Sequence, residues 1–318
     1  MLRRQKGYIS GSKLAKETGI SKNRISKQIR LLRQYGYRIK SSPKMGYNLV
    51  GETDLPLPWE LAKILDTIYI GKDKIMYKDT VNSTQNLAIS LAENDPSSDG
   101  MVIIAGQQTS GRGRENRKWL SPKGGIWLSS ILRPVIPASK ITILPFAAAL
   151  AVCDSIRKTA QLDSKVRWPN DIVIEGRKVA GILIDISMEA EQINYAVIGI
   201  GVNVNVDSSA IYSHLERQVR VTSLSDELGH KMSILGLTKE ILERLEYYYM
   251  QLKKDVPHTL IEQWKKNSDI FHRKVQVMHN DWAMEGIAID VKDDGSLLVR
   301  NDVYDDFRVV ASEVRVKY

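Results

Sequence analysis

Apolar residues recur at helical spacing near the beginning of the chain. Ile25, Ile29 and Leu32 are three or four positions apart and follow Ser21, a residue type that caps helix N-termini. Residues 10–18 form a shorter amphipathic segment, and a glycine separates the two segments. Two helices joined by a tight glycine-containing turn are typical of a helix-turn-helix.

Behind these helices the pattern changes to short strands. Residues 37–40 and 46–50 flank a basic turn at 41–45, which predicts a wing. The second helix carries polar side chains near its start that can reach phosphates and base edges in a major groove, namely Ser21, Lys22, Asn23, Arg24, Lys27 and Gln28.

The middle of the chain alternates between helical and strand patterns, which predicts a mixed α/β domain. A helical pattern at 87–92 follows Asn82 and Ser83, and either residue is a candidate N-cap. Gln85 stands in capping-box position to Asn82. The other predicted helices are 61–70 and 141–158, and the predicted strands are 74–77, 102–104, 126–132, 172–174, 178–185 and 196–205.

The last third of the chain is helical at first and then has a period of two. Helical patterns cover 223–268, and residues 52–59, with two prolines and no periodicity, predict a linker further upstream. Short strand patterns separated by turns predict a small β-barrel at the end, with strands at 275–277, 285–289, 297–299 and 307–309.

The net charge of +9 is concentrated in one segment. Residues 1–50 hold 13 Lys or Arg and a single acid, Glu17, and have a net charge of +12. The remaining residues sum to −3. A local excess of positive charge favours binding to nucleic acid more than general solubility.

The single cysteine, Cys153, excludes an internal disulfide and fits a reducing cytosol. It lies in the apolar run 146–156, and we expect it to be buried in the core. The basic N-terminus lacks the apolar segment of a secretory signal. No stretch approaches the ~20 apolar residues of a membrane helix, so we expect a cytoplasmic protein without a membrane partner.

Residues 107–130, QQTSGRGRENRKWLSPKGGIWLSS, carry the strongest chemical signal. They join two predicted strands, so the middle is a long loop. Glycine allows a ligand to approach the backbone, and arginine offers a planar, permanently charged fork for phosphate or carboxylate. Such a loop suits an anionic ligand and can fold over it. A solvated basic turn is the alternative.

The order of residues in this loop closely resembles the ligand-binding loop of biotin protein ligases. The resemblance is carried by Gln108, GRGR at 111–114, Arg117, Trp119 and SPxG at 121–124. Two further motifs are similar to that family: WPND at 168–171, with Lys178 of KxAGIL seven residues beyond Asp171, and the Asn-Ser-Thr triplet at 82–84. Residues 1–50 resemble the winged helix of the bifunctional ligases that also repress biotin genes.

The resemblance implies an α+β protein of three parts: an N-terminal winged helix-turn-helix at 1–60, a central mixed α/β biotin-ligase catalytic domain at 65–270, and a C-terminal SH3-like β-barrel at 271–318. It implies synthesis of biotinyl-5′-AMP from biotin and ATP with Mg²⁺, followed by transfer to a lysine of a biotin carboxyl carrier protein. Duplex DNA carrying a biotin operator and a second copy of the chain are the other implied partners.

The resemblance also implies the site residues. Lys178 and Arg114 are the catalytic candidates, and Asp171 is the candidate Mg²⁺ ligand. The implied biotin contacts are Ser83, Thr84, Gln85, Gln108, Arg112, Gly113, Arg114, Lys178, Gly181 and Gly199. The implied ATP and adenylate contacts are Gly111, Arg112, Arg114, Arg117, Trp119, Asn170 and Asn203. Arg167 stands where lysine is common in this family.

Two alternatives remain at this point. A lipoate-type ligase shares the fold and the adenylation chemistry, but its arginine-arginine and triple-glycine pattern is absent here. The second alternative is a biotin-sensing repressor without transfer activity. The intact Lys178 and the arginine-containing loop at 107–120, called the arginine loop below, argue against it. The winged helix has its own departure: such domains open with a helix, whereas only MLRRQKG precedes Tyr8, so that helix is vestigial or the start codon is misplaced. A basic fold that only steers the enzyme is the alternative to DNA binding.

Overall fold

The computed structural model describes residues 1–212, 220–254, 257–278, 283–301, 305–311 and 315–317. The chain divides into two compact units, Met1–Leu55 and Pro56–Tyr318.

The first unit is a helix-turn-helix followed by a two-stranded antiparallel wing. Its elements are α1 (Gly11–Thr18), α2 (Lys22–Gln34), β1 (Arg38–Ser42) and β2 (Gly46–Gly51). Ser10 and Ser21 begin the helices by accepting hydrogen bonds from Lys13 N and Arg24 N. Ile9, which follows the short segment before Tyr8, forms an antiparallel bridge to Tyr47 of the wing. The buried apolar residues are Ile9, Leu14, Ile25, Ile29, Tyr37 and Ile39.

The second unit combines helices with two sheets. Its helices are α3 (Pro58–Ile64), α4 (Thr84–Asn94), α5 (Leu144–Ala160), α6 (Ser208–Tyr212), α7 (Leu224–Leu228), α8 (Ile234–Lys253) and α9 (Pro257–Lys266). Its strands are β3 (Ile75–Val81), β4 (Val102–Gln108), β5 (Ile126–Leu132), β6 (Ser164–Arg167), β7 (Asp171–Ile174), β8 (Arg177–Glu189), β9 (Gln192–Val202), β10 (Lys274–Met278), β11 (Ala283–Val291), β12 (Leu297–Asn301), β13 (Asp305–Val309) and β14 (Arg315–Lys317).

Within the described residues the larger sheet has seven strands in the order β3-β4-β5-β9-β8-β7-β6. β3 and β4 are parallel and the other neighbours are antiparallel. Successive side chains alternate between its two faces. Ala180 and Ile182 point to the face that packs against α5 and α8, where the main core lies. Gly181 and Leu183 point to the opposite face, which α4 covers only in part.

The core helix changes the expectation about membrane spans. Among the residues that the structure describes, one helical segment, Ala138–Ala160, is long and apolar enough to cross a membrane by length and composition. However, 72% of its most apolar window is buried inside the protein. The prediction that no stretch approaches this length is therefore wrong, and the segment serves as the central helix of the core. Cys153 is buried in it, as predicted.

Two local predictions are corrected by long-range contacts. The helix predicted at 61–70 ends at Ile64, because the backbone N–H groups of Ile68, Tyr69 and Ile70 donate to the Glu246 carboxylate on α8 instead of to helical carbonyls.

The N-cap of α4 is one of the two predicted candidates, but the predicted capping box is not present. Ser83 is its N-cap, and Gln85 turns into the sheet, so the predicted capping box with Asn82 is not formed.

The C-terminal strands form an antiparallel sheet in the order β13-β12-β11-β10-β14 within the described residues. Its turn at Gly295 lies against the central core, where Trp168 Nε1 donates to the Gly295 carbonyl over 3.0 Å. Phe146 of α5 packs against the same glycine. This places the C-terminal sheet beside the strand that follows Trp168.

Candidate active site

Three glycines open a trough on the sheet face opposite α5. Gly181 of β8 lies directly opposite Gly201 of β9, and Leu183 lies opposite Gly199. The Trp119 ring occupies this trough, since a Cβ on Gly181 or Gly201 would lie only 2.9 or 2.7 Å from it. Any larger residue at these two positions would displace the ring. The backbone of Gly181 and Gly201 is therefore accessible to a planar group, and the Trp119 ring occupies this space.

A chain of polar side chains runs beneath the N-terminus of α4. Thr84 donates to Gln108 Oε1 from both its backbone nitrogen (2.8 Å) and its hydroxyl (3.1 Å). Ser129 Oγ lies 2.9 Å from Thr84 Oγ1 and 2.9 Å from Gln85 Oε1. Gln108 Nε2 donates to Ser121 Oγ over 2.8 Å. The four residues at 83, 84, 85 and 129 are buried, so this chain is shielded from solvent.

The orientation of the Gln85 amide is defined by its neighbours. Its Nε2 donates to Asp185 Oδ2 (2.9 Å) and to the Val197 carbonyl (3.0 Å), so Oε1 must face Ser129. Gly199 lies under this amide, and a Cβ there would lie 2.5 Å from Gln85 Oε1. The glycine at 199 is thus required by the position of Gln85.

The arginine loop folds back on itself. Gln108 bridges to Ser121, and Arg112 bridges to Lys118. Gly111 is required because a Cβ there would lie 2.4 Å from the Trp119 carbonyl oxygen. These backbone contacts define the folded-back conformation of the loop.

The three arginines of this loop have different surroundings. Arg112 donates to Asn86 Oδ1 (3.0 Å) and to Asp185 Oδ1 (3.4 Å). Arg114 donates to Asn170 Oδ1 (3.5 Å) and to the carbonyl oxygen of Ala311. Arg117 lies further out with a side chain that is 60% exposed. Two of the three guanidinium groups are therefore directed over the sheet face, and the third faces solvent.

Lys178 lies at the same end of the sheet as the trough. Its Nζ is 2.6 Å from Asp171 Oδ1 and 4.9 Å from the centroid of the Trp119 ring. The turn between β7 and β8 produces this arrangement, because it places the start of β8 beside β7. The ammonium group thus has one carboxylate and one aromatic face as neighbours, and both side chains of the ion pair are about three-quarters buried.

Asn170 and Asn203, the two predicted adenylate asparagines, differ in their surroundings. Asn203 is 1% exposed and donates to the Thr222 carbonyl over 3.0 Å, while its Oδ1 has no partner among the described residues. A buried carbonyl oxygen without a donor is unfavourable, so a ligand N–H would be favoured there. Asn170 accepts from Arg114 and donates to the Ile182 carbonyl, which links WPND to β8.

The part of the chain that the structure describes supplies no preformed cage for a metal ion. Among the described residues, no cluster of three His, Cys, Asp or Glu side chains is present. Asp171 is the carboxylate nearest to Lys178 and could provide one oxygen. Mg²⁺ usually takes one or two carboxylates, with phosphates and water as its other ligands. A single carboxylate at this position therefore fits the number of protein ligands that Mg²⁺ usually takes.

The structure adds three residues that the sequence did not single out: Asn86, Ser129 and Asp185. Each contacts a predicted site residue. Asp185 carried a usable signal, since a lone acid interrupts the apolar positions of β8. Asn86 also lines a cleft of ≈ 390 Å³ with Val81, Asn82, Leu87 and Ser90, beside Arg112.

The predicted nucleic-acid residues lie together on the first unit. Ser21 is the N-cap of α2, and the residues 22, 23, 24, 27 and 28 are all exposed on that helix. Ile25 and Ile29 on the opposite side are buried. The helix therefore separates an apolar face from a polar face that carries Lys22, Arg24 and Lys27.

Both units match known protein families. Residues 77–203 match the model of the Biotin/lipoate A/B protein ligase family, and residues 1–48 match an HTH domain model. The chain is 34% identical over 295 residues to the bifunctional ligase/repressor BirA of Bacillus spizizenii, covering 92% of this chain and 89% of that protein. It is 33% identical to the protein of the same name from Bacillus subtilis, with 93% and 90% covered.

A solved structure shows the same fold. The biotin protein ligase from Aquifex aeolicus, in complex with biotin and ATP, superposes with a TM-score of 0.64 at 22% identity, over 77% of this chain and 98% of that chain. The two family matches and the Bacillus relatives define a protein ligase joined to a helix-turn-helix domain. From its full-length likeness to the Bacillus proteins, the chain belongs to the bifunctional biotin protein ligase and repressor family.

Proposed function

We propose that this chain joins biotin to ATP, giving biotinyl-5′-AMP and pyrophosphate, and then transfers biotin to a lysine of a biotin carboxyl carrier protein. One observation carries the proposal: Lys178, Arg112 and Arg114 surround a glycine trough that adjoins a buried polar chain. Cations are needed where the biotin carboxylate meets the α-phosphate, because the two anions repel each other.

The head group of biotin fits the polar end of the trough. Hydroxyl and amide groups there can bind a ureido ring from several directions, and the glycines allow the bicycle to lie on the backbone. Trp119 would leave the trough and cover the ligand. The residues assigned to biotin are Ser83, Thr84, Gln85, Gln108, Arg112, Gly113, Arg114, Lys178, Gly181 and Gly199.

The adenylate lies between Lys178 and the arginine loop in this proposal. Lys178 releases Asp171 and holds the carboxylate and α-phosphate oxygens, while Arg112 and Arg114 close over them. The closed loop excludes water from the reactive anhydride. The residues assigned to ATP and the adenylate are Gly111, Arg112, Arg114, Arg117, Trp119, Asn170 and Asn203.

Mg²⁺ is assigned to Asp171, and when bound the ion would offset the charge of the phosphates. In the second step the ε-amine of the carrier lysine attacks the carbonyl carbon of the mixed anhydride. An amide bond forms as the carbon–oxygen bond to the phosphate breaks, the nitrogen loses a proton, and AMP leaves. Lys178 and Arg114 stabilise the charge that develops on the departing phosphate.

The N-terminal unit is proposed to bind duplex DNA as the repressor part of a homodimer in the cytoplasm. The exposed, basic face of α2 supports this role. We also propose three domains, at 1–60, 65–270 and 271–318, of which the last is an SH3-like barrel. DNA binding by the N-terminal unit should weaken strongly with salt, because each neutralised phosphate releases counterions. Fluorescence anisotropy with biotin-operator DNA, at two salt concentrations and with biotin plus ATP, tests this; equal binding to random duplex opposes a repressor.

A lipoate-type ligase is the nearest alternative within the same fold. Biotin-dependent and lipoate-dependent release of pyrophosphate from ATP distinguishes the two substrates. The central experiment is incubation with ATP, Mg²⁺, biotin and a carboxylase carrier domain, followed by mass measurement of the carrier. A mass increase of one biotin supports the proposal. Pyrophosphate release without any carrier modification would indicate a sensing repressor without transfer activity.

A further inference from the structure

Asp185 occupies a position that none of the assigned roles explains. It lies on β8 opposite Val197, on the same sheet face as Gly181. One carboxylate oxygen accepts from Gln85 Nε2 at 2.9 Å, and the other accepts from Arg112 at 3.4 Å. These two donors belong to different parts of the site, the buried polar chain and the arginine loop. A single acid thus joins them.

The contact with Gln85 extends to the whole polar chain. Because Nε2 of Gln85 is held by Asp185 and Val197, its oxygen faces Ser129. Ser129 in turn contacts Thr84, whose hydroxyl donates to Gln108. Rotation of the Gln85 amide by half a turn would place its NH₂ group towards Ser129. This would reverse the direction of the hydrogen bond between Gln85 and Ser129. The acceptor at position 185, together with the Val197 carbonyl, therefore sets the direction of hydrogen bonds in the chain.

The contact with Arg112 restrains the loop from the other side. Arg112 has Asn86 and Asp185 as its described side-chain partners, and only Asp185 carries a charge. Both side chains of this ion pair are about a third exposed, so solvent weakens the pair without abolishing it. Loss of the acid would leave the guanidinium with a neutral partner and loosen residues 107–120.

We propose that Asp185 is a positioning residue that couples the arginine loop to the biotin head-group pocket, through Arg112 on one side and Gln85 on the other. The effect on biotin binding rests on the proposed function, whereas the effect on the loop does not. Both contacts require an oxygen acceptor, because both Gln85 Nε2 and Arg112 are donors. This requirement defines the substitutions that test the role.

Asp185→Asn is nearly isosteric but has one acceptor oxygen and one NH₂ group. The NH₂ group would face a donor of either Gln85 or Arg112, so one of the two hydrogen bonds would be lost. Asp185→Glu keeps two acceptor oxygens, and the partial exposure of the site gives room for one more methylene. Asp163→Asn is the matched control, since Asp163 forms an ion pair with Lys165 (3.1 Å) beside the edge strand β6 and is 76% exposed.

The first readout is hydrogen exchange of residues 107–120 in the full chain without ligands. We expect exchange to be about threefold faster in Asp185→Asn, near the wild-type rate in Asp185→Glu, and unchanged in Asp163→Asn. Arg112→Gln removes the same contact from the loop side. It should give the same increase, and combining it with Asp185→Asn should add nothing further. Wild-type exchange in both Asp185→Asn and Arg112→Gln, or full additivity, overturns the coupling.

The second readout is biotin-dependent pyrophosphate release. Asp185→Asn should raise the KM for biotin about tenfold and change kcat at saturating biotin far less, and Asp185→Glu should recover most of the loss. An unchanged KM, or equal loss in the Glu and Asn variants, refutes the role in the head-group pocket. A wild-type protein that releases no pyrophosphate would refute the proposed function instead, while the exchange comparison would still decide the role of Asp185.

Discussion

Replacing Lys178 tests the proposed chemistry most directly. Its ammonium group lies 2.6 Å from the Asp171 carboxylate and 4.9 Å from the centroid of the Trp119 ring, which occupies the glycine trough. Lys178→Ala removes the charge and the aliphatic stem together. Lys178→Met removes the charge but keeps a stem that can pack on the ring.

The expected loss can be scaled from known electrostatic contributions. Removing one preorganised group that stabilises transition-state charge commonly lowers the rate by about 10²–10³-fold, or roughly 3–4 kcal/mol. We expect this loss in biotinyl-adenylate formation for both variants. The folding cost should be smaller, on the order of 1–3 kcal/mol, because Asp171 loses its partner but keeps some access to water. A folded but nearly inactive protein is therefore the expected result.

Pyrophosphate release and thermal unfolding measure the two quantities separately. Lys123→Ala is the matched control, because Lys123 forms a 3.0 Å ion pair with Asp79 but is 62% exposed. It should keep the wild-type rate and lose less than about 1 kcal/mol of stability. Near-normal adenylate formation in a folded Lys178→Ala protein would remove Lys178 from the mechanism, and equal losses in Lys178→Ala and Lys123→Ala would show a non-specific effect of charge.

Three further predictions concern the loop and the core. Hydrogen exchange of residues 107–120 should slow on adding biotin and ATP, because the loop gains ligand contacts; unchanged exchange would argue against a lid. Arg114→Gly should release adenylate and biotinylate lysines without discrimination, since it loses its contacts to Asn170 and Ala311; mass spectrometry of a bystander protein measures this, and strict carrier selectivity would contradict it. Burial raises the pKa of the Cys153 thiol to about 11, so thiol reagents should label it at pH 8 only after unfolding.

Local sequence features determined much of the architecture. Ser21 and the apolar spacing of Ile25 and Ile29 define a capped, amphipathic helix, because capping and periodicity act within a few residues. The clustered arginines and glycines indicated an anionic ligand for the same reason. The chemistry of a guanidinium group and the freedom of a glycine are properties of the residue itself.

The elements that local patterns predicted wrongly were decided by distant residues. α3 ends early because Glu246, 176–178 positions away along the chain, accepts the backbone N–H groups of residues 68–70. Gln85 leaves its capping position because Asp185, 100 positions away, and Ser129 compete for its amide. Propensity and capping rules contain no information on such partners.

Only the tertiary structure showed how the site is assembled. The register of β8 and β9 sets Gly181 opposite Gly201, and this pairing makes room for Trp119. Packing brings the Ala311 carbonyl, 197 positions away, to Arg114. Residue types limit what chemistry is possible, whereas distances between side chains on separate strands depend on sheet register and on which face each strand buries. The sequence therefore determined the residues available for binding two anions, and the folded sheet decided that Asp185 should hold the loop and the pocket together.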